Sequence, residues 1–97
     1  VNVNDEQLLN QINIIVNPNP VNDEVTISYI MSFNTKYSLI LTDINGYRIK
    51  ELINESVYWS GIEQKSSFSL EELSNGIYFL TIKTGFGNKT IKIVVNR

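Results

Sequence analysis

The segment LSNGIYFLTIKTGFGNKTIKIVVNR, residues 73–97, has a clear pattern of two strands joined by a turn. Apolar and polar residues alternate in GIYFLTIKT and again in KTIKIVV, and GFGN lies between them. Alternation with a period of two is typical of strands, and glycines favour a turn between them. The segment therefore predicts a β-hairpin. Its second strand is apolar and basic, where most domains end in a polar tail.

Five further strands precede this hairpin. They are predicted at INIIV (12–16), EVTISYI (24–30), YSLILTDI (37–44), YRIKELI (47–53) and SSFSL (66–70). The first stops at Pro18 and Pro20, which lack the N–H that a β-ladder needs. Asn45-Gly46 predicts a hairpin turn between the third and fourth strands, because both residues tolerate positive φ. Residues 54–65 are expected to form a long, less regular connection.

These patterns predict an all-β fold. Seven short strands with turns about every 8–12 residues and no helix are typical of a seven-stranded immunoglobulin-like β-sandwich. Tyr78, two residues after Gly76, is predicted to form a tyrosine corner, in which its hydroxyl bonds to upstream backbone. Its ring is expected to join a core that contains Leu39, Leu41, Leu80, Ile82, Ile91, Ile93 and Val95.

Composition limits the function. The chain has 97 residues, a net charge of −2 and neither cysteine nor histidine. Nothing favours nucleic acid, and the commonest metal ligands are missing. No apolar run approaches the length of a membrane-spanning helix. Residues 1–11 are predicted to be a linker from an upstream domain, and residues 12–97 are predicted to be one domain, expected to be monomeric when isolated.

No catalytic, cofactor-binding or metal-binding residues are predicted. The glycines around Lys89 lack the spacing and the following helix of a phosphate loop. Glu71 and Glu72 are adjacent, so on a strand they would face opposite sides. Asp43 is expected to accept hydrogen bonds from turn amides.

Tyr58 and Trp59 suggest one alternative function. They could stack on a sugar in a carbohydrate-binding or adhesive module, although partial burial under the connection is favoured. A plain structural, fibronectin-like spacer is a second alternative.

Three motifs together resemble a known family. VNPNPVNDEVTISY, LTDINGYRI and the segment of residues 73–97 occur in the order found in the type A C-terminal sorting domain of the type IX (Por) secretion system of Bacteroidetes. The resemblance covers about residues 14–97. The departures are Tyr47, where the family often has a basic residue, and Arg97 after Asn96. The matching structural positions are Pro18, Pro20, Asp43, Gly46, Gly76, Tyr78 and Gly85.

The resemblance implies a sorting signal and not an enzyme. In such proteins a cargo domain precedes the signal and crosses the periplasm. The type IX outer-membrane translocon recognises the signal, and a sortase usually removes it. The signal itself is not expected to insert into the membrane. The cargo is then released or attached to the cell surface.

The resemblance and the strand alternation together suggest where recognition occurs. If Leu39, Leu41 and Tyr78 face inward, then Ile40, Phe79 and Val94 face outward. The linker or the long connection could cover these three residues, or a partner could. The predicted recognition residues are Ile40, Phe79, Lys83, Lys89, Lys92, Ile93, Val94, Val95 and Arg97.

Overall fold

The computed structural model describes residues 11–18 and 20–97, which form seven strands. The strands are β1 (Asn13–Asn17), β2 (Glu24–Ile30), β3 (Thr35–Asp43), β4 (Arg48–Tyr58), β5 (Gln64–Ser69), β6 (Gly76–Thr84) and β7 (Gly87–Val95). These residues contain no helix, and therefore none long and apolar enough to cross a membrane. Ten residues of the predicted linker, 1–10, lie outside the described part of the chain.

The strands form two antiparallel sheets. One has the order β1-β2-β5 and the other has the order β4-β3-β6-β7. An immunoglobulin constant domain keeps its fourth strand in the first sheet. Here β4 pairs with β3 instead. The architecture is an immunoglobulin-like sandwich, as predicted, with β3 and β6 as neighbours and β7 at an edge.

The core lies between the sheets and follows from the alternation. Val25, Ile27 and Tyr29 of β2 are buried, while the residues between them are more exposed. The opposite sheet contributes Leu39, Leu41, Leu80, Ile82, Ile93 and Val95, all 0–1% exposed. Burial of this kind contributes about 1.5–3 kcal/mol for each large side chain.

The hairpin between β3 and β4 forms at the predicted turn. The Asp43 carboxylate accepts hydrogen bonds from the backbone N–H groups of Asn45 and Tyr47, both at 2.9 Å. Gly46 has φ +86°, which an L residue adopts only with strain. The prediction that Asp43 serves the turn is confirmed.

The hairpin between β6 and β7 is tighter than predicted. Thr84 pairs with Gly87, so only Gly85 and Phe86 form the loop. The Thr84 hydroxyl accepts from Phe86 N–H at 3.1 Å and donates to Gly87 O at 2.8 Å. These bonds allow β7 to begin two residues earlier than the alternation indicated.

The predicted long connection over residues 54–65 is wrong. β4 continues to Tyr58, and β5 begins at Gln64, so five residues join them. The register against β3 shifts near Glu55, which has φ +44° and donates its N–H to the Ser38 hydroxyl at 3.0 Å. A β-bulge of this kind lets a polar sequence remain within a strand.

Tyr58 and Trp59 lie in opposite environments. Tyr58 is 1% exposed and its ring lies beside those of Tyr29 and Tyr37, whereas Trp59 is 61% exposed. The predicted partial burial is therefore wrong for Trp59. The two rings cannot form one sugar-stacking platform, because the Tyr58 ring is buried and only the Trp59 ring is accessible.

Candidate recognition surface

A tyrosine corner fixes the start of β6. The Tyr78 hydroxyl donates to the backbone carbonyl of Ser74 at 2.8 Å. Gly76 between them has φ +153°, a region that L side chains rarely adopt, although a Cβ there would meet no atom within 4 Å. The predicted hydrogen bond is confirmed, and it fixes the turn that leads into β6.

The outer face of the four-stranded sheet is defined here by the outward-pointing residues of β3, β6 and β7. Strand register places Ile40 beside Thr81 and Phe79 beside Lys92 on this face. Its members are Lys36, Ser38, Ile40, Thr42, Ile77, Phe79, Thr81, Lys83, Asn88, Thr90, Lys92 and Val94. The set contains three lysines and no carboxylate, in a chain whose net charge is −2.

The neighbouring edge strand β4 offsets only part of this charge. Its Arg48 and Glu51 pair with each other at 3.3 Å. The bulged Glu55 lies with Lys36 and Lys83 around a cleft of about 230 Å³. None of the lysines Lys36, Lys83 and Lys92 forms an ion pair among the described residues. The outer face is therefore cationic.

The outward face of the three-stranded sheet differs in composition. It carries one acidic and one basic residue, Glu24 and Lys65, among Ser, Thr, Asn and Ile side chains. Thr26 and Ser67 hydrogen bond across two of its strands at 2.9 Å. This face is close to neutral, so the two faces of the sandwich would attract different partners.

The predicted outward orientation of Ile40 is confirmed, but the residue is not accessible. Ile40 points outward, but it is only 5% exposed because β3 has a neighbouring strand on each side. Phe79 and Val94 are half-buried, and they leave part of their apolar surface accessible.

Other apolar residues enlarge the accessible surface next to Val94. Its cross-strand partner Ile77 is 39% exposed, and Ile44 and Ile49 of the β3–β4 hairpin are 67% and 41% exposed. These three isoleucines line an open groove of about 520 Å³, named here the apolar groove. Sequence reasoning missed it because the groove needs the hairpin to fold beside the start of β6. Three neighbouring exposed isoleucines form a larger apolar surface than the single exposed apolar residues that are normal on a soluble domain.

The last strand combines buried side chains with an open edge. Ile93 and Val95 are 0–1% exposed, and a partner could reach them in the folded domain only through their backbone. Lys89 donates to Ile12 O at 2.7 Å, which ties β7 to the start of the domain. Among the described residues, β7 is paired on its outer edge only by Val21, which bonds to Val94 O and Asn96 N–H. Because backbone direction alternates, the N–H and C=O groups of Thr90 and Lys92 point to the same open edge.

Arg97 folds back onto the sandwich. Its guanidinium donates to the Asp23 carboxylate at 2.7 Å and to the backbone carbonyls of Leu70 and Leu73. Its backbone N–H donates to the Asn75 side-chain oxygen at 3.0 Å. These four acceptors are named here the Arg97 anchor. They lie in the segments before β2 and between β5 and β6, so the anchor joins both sheets.

The remaining predicted positions lie in turns. Pro18 and Pro20 lie between β1 and β2, and Gly85 donates its N–H to the Thr35 hydroxyl at 2.9 Å.

In the part of the chain that the structure describes, the acidic side chains show no sign of a catalytic or metal site. Hydrogen bonds from its own backbone amide and from Lys50 hold the pKa of the Glu72 carboxyl below its usual value. Within the described ranges, no three acidic side chains lie close enough together to hold a metal ion.

Comparison with known families identifies the class of protein that this sandwich represents. The family described as "Secretion system C-terminal sorting domain" matches residues 15–96. No curated protein and no solved structure is significantly similar to the chain. The chain therefore belongs to the family of C-terminal sorting domains of the type IX secretion system, a family that implies a Bacteroidetes source. Its function is that of a sorting signal, which implies interaction with the type IX machinery and export to the outer membrane or the cell surface.

Proposed function

We propose that the outer-membrane translocon of the type IX system recognises this domain through the outer face of the four-stranded sheet and the open edge of β7. The observation that carries the proposal is the contrast between the two outward faces. One has more cations than carboxylates, because Lys36, Lys83 and Lys92 outnumber the neighbouring Glu55, and the other is nearly neutral. A partner surface that is acidic and partly apolar would fit the first face.

Eight of the nine predicted recognition residues, all except Arg97, then divide into two groups. Phe79, Lys83, Lys92 and Val94 contact the partner with their side chains. Ile40, Lys89, Ile93 and Val95 hold the strands in place, and β7 offers backbone groups to an added strand. The apolar groove extends the contact surface beyond Val94.

The domain acts in this proposal as a substrate of the machinery and performs no chemistry itself. A sortase removes it after export, and the cargo that precedes it is released or attached to the surface. Mass spectrometry of the secreted cargo should find a C-terminus upstream of about Ile12. A mature cargo that retained Pro18 to Arg97 would contradict routine removal.

The recognition proposal is tested with a matched pair of double variants. The domain is fused to a reporter carrying an export signal and expressed in a type IX-competent host. Phe79→Ser with Lys92→Glu should trap the reporter in the periplasm. The control, Ile30→Ser with Lys65→Glu, makes the same kinds of change on the other outward face and should leave surface delivery unchanged.

Folding of each variant is checked by circular dichroism of the purified fusion. Normal surface delivery of a folded Phe79→Ser, Lys92→Glu variant would overturn the assignment of this face. Equal trapping by the control pair would show that the machinery does not distinguish the two faces.

A further inference from the structure

The contacts of Arg97 differ from those of a side chain that is free to be read by a partner. Three N–H groups of its guanidinium are directed at Asp23, Leu70 and Leu73, and only 25% of the side chain is exposed. A guanidinium has five N–H donors in a planar fork, so most of its hydrogen-bonding capacity is used within the fold. A partner that bound this guanidinium would first have to displace these acceptors.

The acceptors belong to segments that themselves hold the sandwich together. Leu70 N–H donates to Asp23 O at 2.7 Å, and Leu73 N–H donates to Leu70 O at 3.1 Å. Beside them, Asn96 N–H donates to Val21 O at 3.0 Å. The anchor therefore fixes residues 94–97 against the start of β2 and the connection between β5 and β6.

We propose that Arg97 is a positioning residue of the sorting signal. It fixes the end of β7, and the type IX machinery recognises the fixed strand and not the Arg97 guanidinium. This inference rests on the proposed function. Lysine should replace Arg97 poorly, because one ammonium cannot reproduce a planar fork that reaches three acceptors.

The test changes the acceptors and leaves Arg97 in place. Asp23→Asn and Asn75→Ala each remove or weaken one anchor contact in the full chain, and Glu63→Gln is the matched control at an exposed carboxylate. Hydrogen exchange of the Asn96 amide should accelerate about tenfold in both anchor variants and not in the control, because local opening becomes easier. The rate of surface delivery in a type IX-competent host should fall at least about threefold in the same two variants.

If delivery is normal in both anchor variants although Asn96 exchanges faster, the fixed end of β7 is not what the machinery reads, and the inference is wrong. The inference is also wrong if only Arg97→Gln blocks delivery, since the guanidinium itself would then be read, or if Asn96 exchange does not change. Normal delivery of a chain that lacks residues 12–97 would instead overturn the proposed function.

Discussion

Tyr58→Phe tests whether a hydroxyl in the core supports the end of β4. The Tyr58 hydroxyl accepts from Met31 N–H at 2.8 Å and donates to Ile62 O, while its ring is 1% exposed. The substitution leaves a buried backbone N–H without its acceptor, which costs about 1–3 kcal/mol. For a domain of this size the loss lowers the Tm by roughly 5–15 °C.

Thermal and urea unfolding followed by circular dichroism measure this loss. Tyr47→Phe is the matched control, because Tyr47 is 71% exposed, and it should leave the Tm almost unchanged. Tyr78→Phe should give an intermediate loss of about 0.5–1.5 kcal/mol, since its acceptor Ser74 lies at the surface, where water can replace the hydroxyl. If Tyr58→Phe were no more destabilising than Tyr47→Phe, the reasoning about the buried amide would be refuted.

Two further predictions concern backbone strain and alkaline pH. Gly76→Ala and Gly76→Val should each lower the free energy of unfolding, measured in urea, by about 1–3 kcal/mol. The cause is backbone strain at φ +153°, because a Cβ at this position would meet no atom within 4 Å. Variants as stable as the parent would contradict this. Burial, followed by the hydrogen bond with Tyr37, raises the pKa of the Tyr29 phenol far above its usual value. The proton is then held in the folded state, so stability is fully present below pH about 10 and falls above it by up to about 1.4 kcal/mol per pH unit. Urea unfolding at several alkaline pH values should show this fall, and it should disappear in Tyr29→Phe.

Much of the fold could be predicted because the alternation is local. The pattern in β2 and β6, the Asn45-Gly46 turn and the Tyr78 corner each lie within ten residues of sequence, and each is present in the structure. The second half of β4 was missed because the polar run from Asn54 to Ser56 is typical of a loop. A bulge at Glu55 and an exposed edge allow those residues to remain in the strand.

The surface was harder to predict than the core. Alternation assigns Ile40 to the outward side, but its burial depends on the neighbouring strands on both sides. The Arg97 anchor joins Arg97 to Asp23, residues that are 74 positions apart, and no local pattern indicates such a contact. The cationic face likewise arises only when β3, β6 and β7 are placed side by side.

Site-specific photocrosslinking shows whether the type IX machinery contacts the outer face of the four-stranded sheet. A photoreactive amino acid is placed at Phe79 or at Ser67, which lie on the opposite outward faces, in the full chain in a type IX-competent host. If the machinery recognises this face, position 79 should crosslink to an outer-membrane component of the translocon and position 67 should not. Crosslinks to that component from position 67 alone, or equally from both positions, would contradict it.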